Sequence, residues 1–333
     1  MLTSLLRFSL FGGDNPFAEL RRPISDEEWL RLFDESRRQA VTALLYDAIL
    51  MLPKEQRPPK GILFHFTSIT QTIEQDNCRR EKALHSFAHF VYGSIHKPMT
   101  VVKGSSLARL YPQPMHRECG DNDLYAGSDT REISRLVESA SIAVDRKDPR
   151  HSSYKFDDAS FECHSYLLYH DDDPEWHSVP FGDDGLMRLP AEEEAFFLAK
   201  HMEHHAVFFH NPVRMRSLVD WCLLLSQEDF DYERFRALKR GTDVDVYAEL
   251  LTLYCNGIFG LNMGCDIPEG LAADDFRRIY MRCPERHRLA LVRVARRSWK
   301  YLRYGRQYRK IYGQSMFRRF YFFNLRQAIS QHL

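Results

Sequence analysis

Two aspartates separated by one residue, Asp121 and Asp123, have a spacing that suits metal chemistry. Side chains at positions i and i+2 of a β-strand point to the same face, so the two carboxylates would converge on one site. Carboxylate oxygens are the ligands that Mg²⁺ prefers, and Mn²⁺ is the alternative ion. The pattern predicts a two-metal site of the kind that activates an attacking hydroxyl and stabilises a leaving pyrophosphate.

A third carboxylate for this site is predicted at Glu162, within the run Ser160-Phe161-Glu162-Cys163-His164. The run is typical of a strand, and its alternation places Glu162 and His164 on one face. Asp157 and Asp158 are competing carboxylates, but they precede this strand in a predicted turn.

Gly104 and Ser105 follow a short β-branched run, Met99–Val102, that predicts a buried strand. Glycine lets a backbone approach phosphate closely, and a serine at a helix start adds its hydroxyl to exposed N–H groups. The pair therefore predicts a grip for the phosphates of a nucleoside triphosphate. Lys103 beside it either neutralises phosphate charge or is an edge lysine whose stem lies along the sheet. Arg117 either reaches a phosphate or is a simple loop arginine.

A second Asp-x-Asp, formed by Asp243 and Asp245, shows how little this spacing decides alone. No strand and no Gly-Ser precede it at a suitable distance, and it opens a helical pattern. We therefore predict that Thr242 or Asp243 caps that helix. The metal-site prediction at Asp121 depends instead on the whole order of strand, Gly-Ser, helix, Asp-x-Asp strand and Glu-bearing strand.

The elements that must position these residues alternate between helical and strand patterns. Ser25 and Glu28 have the spacing of a capping box, which predicts a helix that continues until the proline at 53. A second, charged helix is predicted over 62–95. Beyond Val102 the pattern predicts helices over 105–110 and 130–139, and strands over 121–126, 142–144, 154–156 and 160–168.

Residues 171–189 are typical of an acidic loop, and the chain after Pro190 is typical of helices. We predict an α+β fold in three regions: helices over 1–98, a small mixed sheet as the catalytic core over 99–189, and a helical region with a basic tail over 190–333. The 333 residues, 44% of them hydrophobic, suit one large unit or two close subdomains.

The run from Lys103 to Leu124, KGSSLARLYPQPMHRECGDNDL, resembles the signature of the bacterial uncharacterised nucleotidyltransferase family, within the DNA-polymerase-beta-like superfamily. The later FECH run, the AKHMEHH helix and the segment VRMRSLVDW are similar to other parts of that family. The resemblance covers about residues 20–230, and it is strongest over 102–124. It implies a polymerase-beta-type sheet flanked by N-terminal helices and a C-terminal helical bundle.

The same resemblance implies roles for individual residues: Gly104 and Ser105 would bind the triphosphate, and Asp121, Asp123 and Glu162 would bind metal. Two features depart from the family pattern. Asn122 stands where an apolar residue is usual and would face the other side of the sheet, where it needs a polar partner or exposure. The gap between Ser105 and Asp121 is longer than in the superfamily at large, although it suits this family.

Two residue pairs in the predicted helical half have spacings that invite a functional interpretation. His201 and His205 are one helical turn apart, which suits a zinc site of a metal hydrolase or a position facing a nucleotide cleft. Arg216 and Asp220 have the same spacing, which suits either a structural ion pair or a nucleotide-contacting pair. We predict that all four contribute to nucleotide binding.

The charge is unevenly distributed along a chain whose net charge is zero. From Glu285 onward there are thirteen arginines and lysines and one acid, so the rest of the chain carries a compensating net charge of −12. Aromatic residues are interleaved with these cations: Trp299, Tyr301, Tyr304, Tyr308, Tyr312, Phe317, Phe320, Tyr321, Phe322 and Phe323. This pattern suits an RNA-binding surface, an anionic membrane surface, or helices that simply pack by their aromatic faces.

The seven cysteines are scattered, odd in number and lack a C-x-x-C pair, which favours a reducing cytoplasm over a disulfide framework. Met1–Gly13 lacks the features of a signal peptide, and no apolar run approaches the ~20 residues of a membrane span. We therefore predict a cytoplasmic, magnesium-dependent nucleotidyltransferase that moves an NMP from an NTP to an unidentified acceptor hydroxyl or phosphate. The alternatives are a nucleotide-binding module without turnover and the histidine-based metal hydrolase.

Overall fold

A computed structural model of the protein describes residues 1–18, 22–146, 148–168, 173–209, 211–281, 298–316 and 318–319. The chain divides into two compact units, Met1–Glu194 and Ala195–Leu333. Helices before Pro98 lie in the same unit as the sheet. The described part of the chain has no helix that is both long enough and apolar enough to span a bilayer.

Four helices form the N-terminal part of the first unit: α1 Leu2–Leu10, α2 Asp26–Gln39, α3 Thr42–Met51 and α4 Lys60–Ile95. The predicted capping box at the start of α2 is confirmed, because Ser25 accepts a bond from the Glu28 N–H and Glu28 accepts one from the Ser25 N–H. The predicted helix over 62–95 is also confirmed as α4.

The prediction of one continuous helix from Ser25 to the proline at 53 is wrong. The chain breaks at Ala40, which adopts a left-handed conformation with φ 55° and ψ 48°. The break redirects the chain so that α3 buries most of its side chains, from Thr42 to Ile49. Burial of that apolar segment offsets the roughly 1–2 kcal/mol cost of a non-glycine residue in the left-handed region.

The described residues contain one six-stranded mixed sheet with the strand order β3-β4-β2-β1-β6-β5. Its strands are β1 Met99–Val101, β2 Asn122–Tyr125, β3 His151–Phe156, β4 Ala159–His164, β5 Val179–Pro180 and β6 Leu186–Arg188. Two short helices connect them, α5 Gly104–Ala108 and α6 Thr130–Ser139. β2 runs parallel to β4 and β1 runs parallel to β6, whereas the remaining neighbours are antiparallel. The predicted α+β class is therefore confirmed.

Three strand predictions are wrong in detail. Residues 142–144 do not form a strand. Ile142 and Val144 are apolar because they pack against the core, and the neighbouring Asp145 forms an isolated bridge to Ser153. The predicted loop over 171–189 contains β5 and β6, which are strands because β6 pairs with β1 and β5 pairs with β6. β4 ends at His164 instead of continuing to 168.

Helices α4 and α6 cover one face of the sheet and form its hydrophobic core with it. Phe87 of α4 lies 4.7 Å from Phe161 of β4 between ring centroids, and Leu124 of β2 is fully buried in the same cluster. Ile133 and Val137 of α6 complete this layer. Because strand side chains alternate, residues next to Leu124 and Phe161 in sequence point to the opposite face.

Asn122 lies on this core side of β2 and is 6% exposed. Its buried Nδ2 has no hydrogen-bond partner among the residues that the structure describes, which costs about 1–3 kcal/mol. We expect Asn122→Val to raise the free energy of unfolding by about 1 kcal/mol or more, because valine removes the orphan donor and suits a strand. Urea unfolding measures the change, and Thr100→Val is the matched control. The Thr100 hydroxyl is hydrogen-bonded to Ser178 at 2.7 Å, so loss of this hydroxyl should destabilise the protein. Destabilisation by both substitutions would contradict the expectation.

The chain after Pro190 is helical where the structure describes it: α7 Ala191–Val207, α8 Met215–Leu225, α9 Tyr232–Lys239, α10 Asp245–Phe259, α11 Ala273–Phe276 with a π-helical turn Arg277–Met281, and α12 Gly305–Tyr312. The prediction that Thr242 or Asp243 caps α10 is wrong. The N-cap is Val244, without a side-chain cap bond. Asp243 instead pairs with Lys200 and Arg319, and Asp245 pairs with Lys239.

Candidate active site

The sheet face opposite the α4 layer carries two rows of polar side chains, which we call the polar face: Asp123, Glu162 and Ser153 in one row, and Tyr125, His164 and His151 in the next. The rows cross β2, β4 and β3 in register, so their side chains are neighbours. Direct cross-strand neighbours have Cβ atoms roughly 4.5–5.5 Å apart. The register therefore brings Asp123 and Glu162, two of the predicted metal ligands, side by side.

The turn between β1 and α5 lies at the end of this polar face. Lys103 has φ 57° and ψ −131°, and Gly104 has φ 32°, so two successive residues adopt positive φ. For Lys103 this is a sparsely populated conformation that the surroundings must enforce. Apart from the adjoining backbone, none of the described residues places a heavy atom within 4 Å of the position that a Cβ on Gly104 would occupy. The turn thus leaves free space directly beside its backbone.

A buried carboxylate, Glu194, forms two hydrogen bonds with this turn. Its Oε1 accepts a bond from the Lys103 N–H at 3.3 Å, and its Oε2 accepts one from the Ser106 hydroxyl at 2.7 Å. Burial raises the pKa of Glu194 to about 7, although Ser106 and the nearby Arg109 and Arg117 oppose the shift. The turn geometry therefore depends on a glutamate that the interior pushes toward its neutral form.

The raised pKa of Glu194 makes stability depend on pH. In the unfolded chain this carboxyl ionises near 4.5 and in the folded chain near 7, so the wild type loses stability as the pH rises through this interval. Glu194→Gln stays neutral throughout. We expect the free energy of unfolding of the variant, relative to wild type, to increase by about 3 kcal/mol between pH 4.5 and pH 8. Urea unfolding at several pH values measures the difference, and a flat difference would contradict the raised pKa.

Asp123 is the electrostatic centre of the polar face. The Lys103 ammonium lies 2.9 Å from its Oδ2, and His164 Nε2 lies 3.2 Å from its Oδ1. Burial opposes ionisation, but Lys103 and His164 outweigh it and hold the pKa of the Asp123 carboxyl well below its usual range. Asp123 is therefore a carboxylate at every pH at which the protein would work, and the Lys103 ammonium lies beside it.

Glu162 lies between two histidines. His151 Nε2 is 3.7 Å from its Oε1, and His164 Nε2 is 3.7 Å from its Oε2. The two imidazole rings are 4.9 Å apart between centroids. Burial, reinforced by the charge of His164 and opposed by Glu162, lowers the pKa of His151. Sequence patterns do not identify His151 as a site residue, because it precedes the predicted strand over 154–156 and its position depends on the β3–β4 register.

Asp121 immediately precedes β2 and is exposed. Ser105, in the first turn of α5, donates its hydroxyl to Glu81 of α4 at 2.5 Å. Glu81 and Glu194 are both contacts of the Gly-Ser turn that sequence spacing could not reveal, since they lie on helices distant in sequence. The structure thus brings Lys103, Gly104 and Asp123 together.

Arg117 is 4% exposed, with an Nη1 contact to Cys119 Sγ at 3.2 Å. Its carbonyl oxygen accepts a bond from Asn77 at 2.8 Å. Its charge contributes to the environment of Glu194 beneath the Gly-Ser turn. The guanidinium is thus enclosed in the interior of the first unit.

The other four predicted nucleotide-binding residues lie in the second unit. The rings of His201 and His205 in α7 lie 4.2 Å apart between centroids, tilted by 34°. Asp220 of α8 is 1% exposed and lies one turn after Arg216. Within the described ranges, the group of three or more potential ligands close enough to hold one metal ion consists of His151, Glu162 and His164. The histidine pair predicted as a zinc site is not part of such a group.

The basic C-terminal region is described only over 298–316 and 318–319, so the predictions for Phe317, Phe320, Tyr321, Phe322 and Phe323 lie outside the described residues. Tyr301 and Tyr308 are buried, and their rings meet edge to face at 5.6 Å. Trp299 is 58% exposed and lies under the Arg303 guanidinium at 4.8 Å. Two of the aromatic residues therefore pack internally rather than presenting a stacking surface.

Comparison with protein-family models decides the family. The model described as "Uncharacterised nucleotidyltransferase" matches residues 25–260, which is more than half of the chain. The chain belongs to this nucleotidyltransferase family. The matched segment includes the Gly-Ser turn and the whole polar face, whereas the basic C-terminal region lies beyond it.

Membership of this nucleotidyltransferase family supports a general nucleotidyltransferase role for the chain. Comparisons with curated proteins and with solved structures gave no match.

Proposed function

We propose that the protein transfers a nucleoside monophosphate from a nucleoside triphosphate to a hydroxyl or phosphate acceptor, with Mg²⁺ as cofactor and pyrophosphate as product. One observation carries this proposal: Asp123 and Glu162 stand in register on adjacent parallel strands, next to a glycine turn with free space beside it. Metal-held carboxylates and a phosphate grip are the two requirements of this reaction.

The donor chemistry of the predicted ligands suits magnesium. Asp121 just before β2, Asp123 within β2 and Glu162 within β4 offer carboxylate oxygens, which are the donors that Mg²⁺ prefers. When bound, the ion would supply charge neutralisation for the departing pyrophosphate. Glu162 would take the proton of the acceptor hydroxyl. Asp123 stays ionised throughout, because its pKa is held low by Lys103 and His164.

Lys103 has a second role in the proposal. In the structure its ammonium neutralises Asp123 at 2.9 Å. A cation at the carboxylates would compete for that position, and the lysine stem is flexible enough to turn its charge toward a phosphate. Ser105 and the N–H groups of the first turn of α5 complete the phosphate grip, since such groups have no acceptor within their own helix. His201, His205, Arg216, Asp220 and Arg117 remain predicted nucleotide contacts, and none of them carries the proposal.

Gly104→Ala tests the phosphate grip. A methyl group would fill the free space beside the turn and strain a backbone with φ 32°. We expect NTP affinity to fall by about tenfold or more, equal to about 1.4 kcal/mol. Gly241→Ala is the matched control, because Gly241 also has positive φ and free space around its Cβ position but lies in the second unit. Equal affinity loss in both variants, measured by calorimetric titration, would contradict the assignment.

The reaction itself is tested by titrating each NTP with Mg²⁺ and then measuring pyrophosphate release. Saturable binding of one NTP followed by pyrophosphate release in the presence of acceptor supports the proposed transferase. Binding without release under every acceptor condition would favour the nucleotide-binding module. No binding of any NTP would contradict both.

A further inference from the structure

The polar face contains a ligand set that a magnesium site does not require. His151 of β3 and His164 of β4 lie opposite each other in the antiparallel register, and both direct Nε2 toward Glu162 at 3.7 Å. One ligand atom from each of the three residues lies within 4.8 Å of the others. Metal–ligand bonds of ~2.0–2.2 Å place the ligand atoms of one ion roughly 3–3.5 Å apart, so small side-chain rotations would close the set.

The surroundings of the two histidines favour metal ligation over simple packing. Among the described residues, neither buried Nδ1 atom has a hydrogen-bond partner. His151 Nε2 faces Glu162, and His164 Nε2 faces both Glu162 and, at 3.2 Å, Asp123. Asp148 Oδ1 lies 3.9 Å behind His151 Nδ1, and Arg150 holds that carboxylate in place. A small shift would bring this carboxylate within hydrogen-bond distance of Nδ1, and such a bond orients imidazole ligands in metal sites.

We propose that His151, Glu162 and His164 bind one first-row transition-metal dication of the Co²⁺ to Zn²⁺ range, with Asp123 as the neighbouring carboxylate. Imidazole nitrogen binds such ions more strongly than it binds Mg²⁺, which prefers oxygen. This site differs from the proposed magnesium site in the ion that it binds. The two sites have Glu162 in common, and the proposal rests on the proposed function in that respect alone. Asp121 and the Gly-Ser turn have no part in it.

Cobalt absorption tests the site without any nucleotide. The full chain, first stripped with a chelator, is titrated with Co²⁺ in excess Mg²⁺. We expect one equivalent to bind with visible ligand-field bands. His151→Ala should weaken the affinity by at least about tenfold, since even the loss of an outer partner of a metal ligand costs 10–100-fold. His89→Ala, an exposed histidine of α4, is the matched control and should bind as wild type.

Absence of Co²⁺ binding, or equal binding by the His151 and His89 variants, would overturn the proposal. Circular dichroism checks that each variant is folded, and His151→Gln replaces the alanine variant if that one is not. Pulsed EPR of the Cu²⁺-loaded protein gives a second readout. Coupling to two imidazole nitrogens in wild type that falls to one in His151→Gln supports the site, and coupling that the substitution leaves unchanged overturns it.

The outcome is separable from that of the proposed function. Asp121→Ala should abolish pyrophosphate release and leave Co²⁺ binding intact. Pyrophosphate release with Mg²⁺ in a protein that binds no Co²⁺ would overturn the transition-metal site alone. One equivalent of Co²⁺ in a protein that neither binds nor turns over NTP would overturn the nucleotidyl-transfer proposal alone.

Discussion

Asp123→Asn should lower pyrophosphate release by about a thousandfold or more, equal to about 4 kcal/mol of transition-state stabilisation. The substitution keeps the shape of the side chain and removes the charge that faces Lys103 at 2.9 Å and His164 at 3.2 Å. It therefore removes an anionic ligand and leaves the Lys103 ammonium without its counter-ion. Steady-state kinetics with the preferred NTP measures the loss.

Asp158→Asn is the matched control for this substitution. Asp158 is exposed in the turn between β3 and β4, and its φ of 60° is one that asparagine tolerates well. Asp158 is also one of the alternatives to Glu162 as the third metal ligand in the sequence analysis, so the variant tests that alternative directly. We expect its activity to stay within about twofold of wild type, because surface substitutions away from a site change little. A large loss at Asp158 with little loss at Asp123 would contradict the assigned site.

Arg319→Met should lower the free energy of unfolding by about 3–5 kcal/mol, because it breaks a buried ion pair. Arg319 lies 3.2 Å from Glu203 and 2.6 Å from Asp243, and the Glu203 side chain is only 2% exposed. Burial raises the pKa of Glu203 to about 7 even with Arg319 opposing the shift. Without the guanidinium, an ionised Glu203 would be left buried without its closest cation.

The loss at Arg319 should be smaller at pH 5 than at pH 8. A carboxyl whose folded pKa is raised contributes stability that is lost as the pH rises through that pKa, and removal of Arg319 raises the pKa further. At pH 5 a proton neutralises Glu203 in the variant, so less of the penalty remains. Arg318→Met, at the exposed neighbouring arginine, is the control and should change stability by less than about 0.5 kcal/mol. Equal losses at both positions, or a larger loss at pH 5, would contradict this role.

Local sequence signals predicted the elements that form through contacts between residues close together in the sequence. The capping box of α2, the long periodic α4 and the helix over 130–139 all followed from spacing within one segment. The α+β class followed from the change between helical and strand patterns. The alternation of β2 and β4 likewise placed Asp123 and Glu162 on faces that the parallel register then brought together.

Features that depend on distant pairing could not be predicted. β6 has three residues, and it is a strand because it pairs with β1, almost ninety residues earlier. The position of His151 opposite His164 depends on the β3–β4 register, and Glu194 reaches the Gly-Ser turn from a helix far along the chain. The left-handed break at Ala40 depends on what α3 buries rather than on any local helix-breaking residue.

Transfer of label from an α-labelled NTP measures the proposed activity most directly. Wild type and the Asp121→Ala/Asp123→Ala double variant are each incubated with one labelled NTP, Mg²⁺ and a cell extract that supplies acceptors. We predict that one or more NTPs label a product with wild type and that the double variant labels none. Label transfer that survives the double substitution would contradict the assignment of nucleotidyl transfer to the polar face.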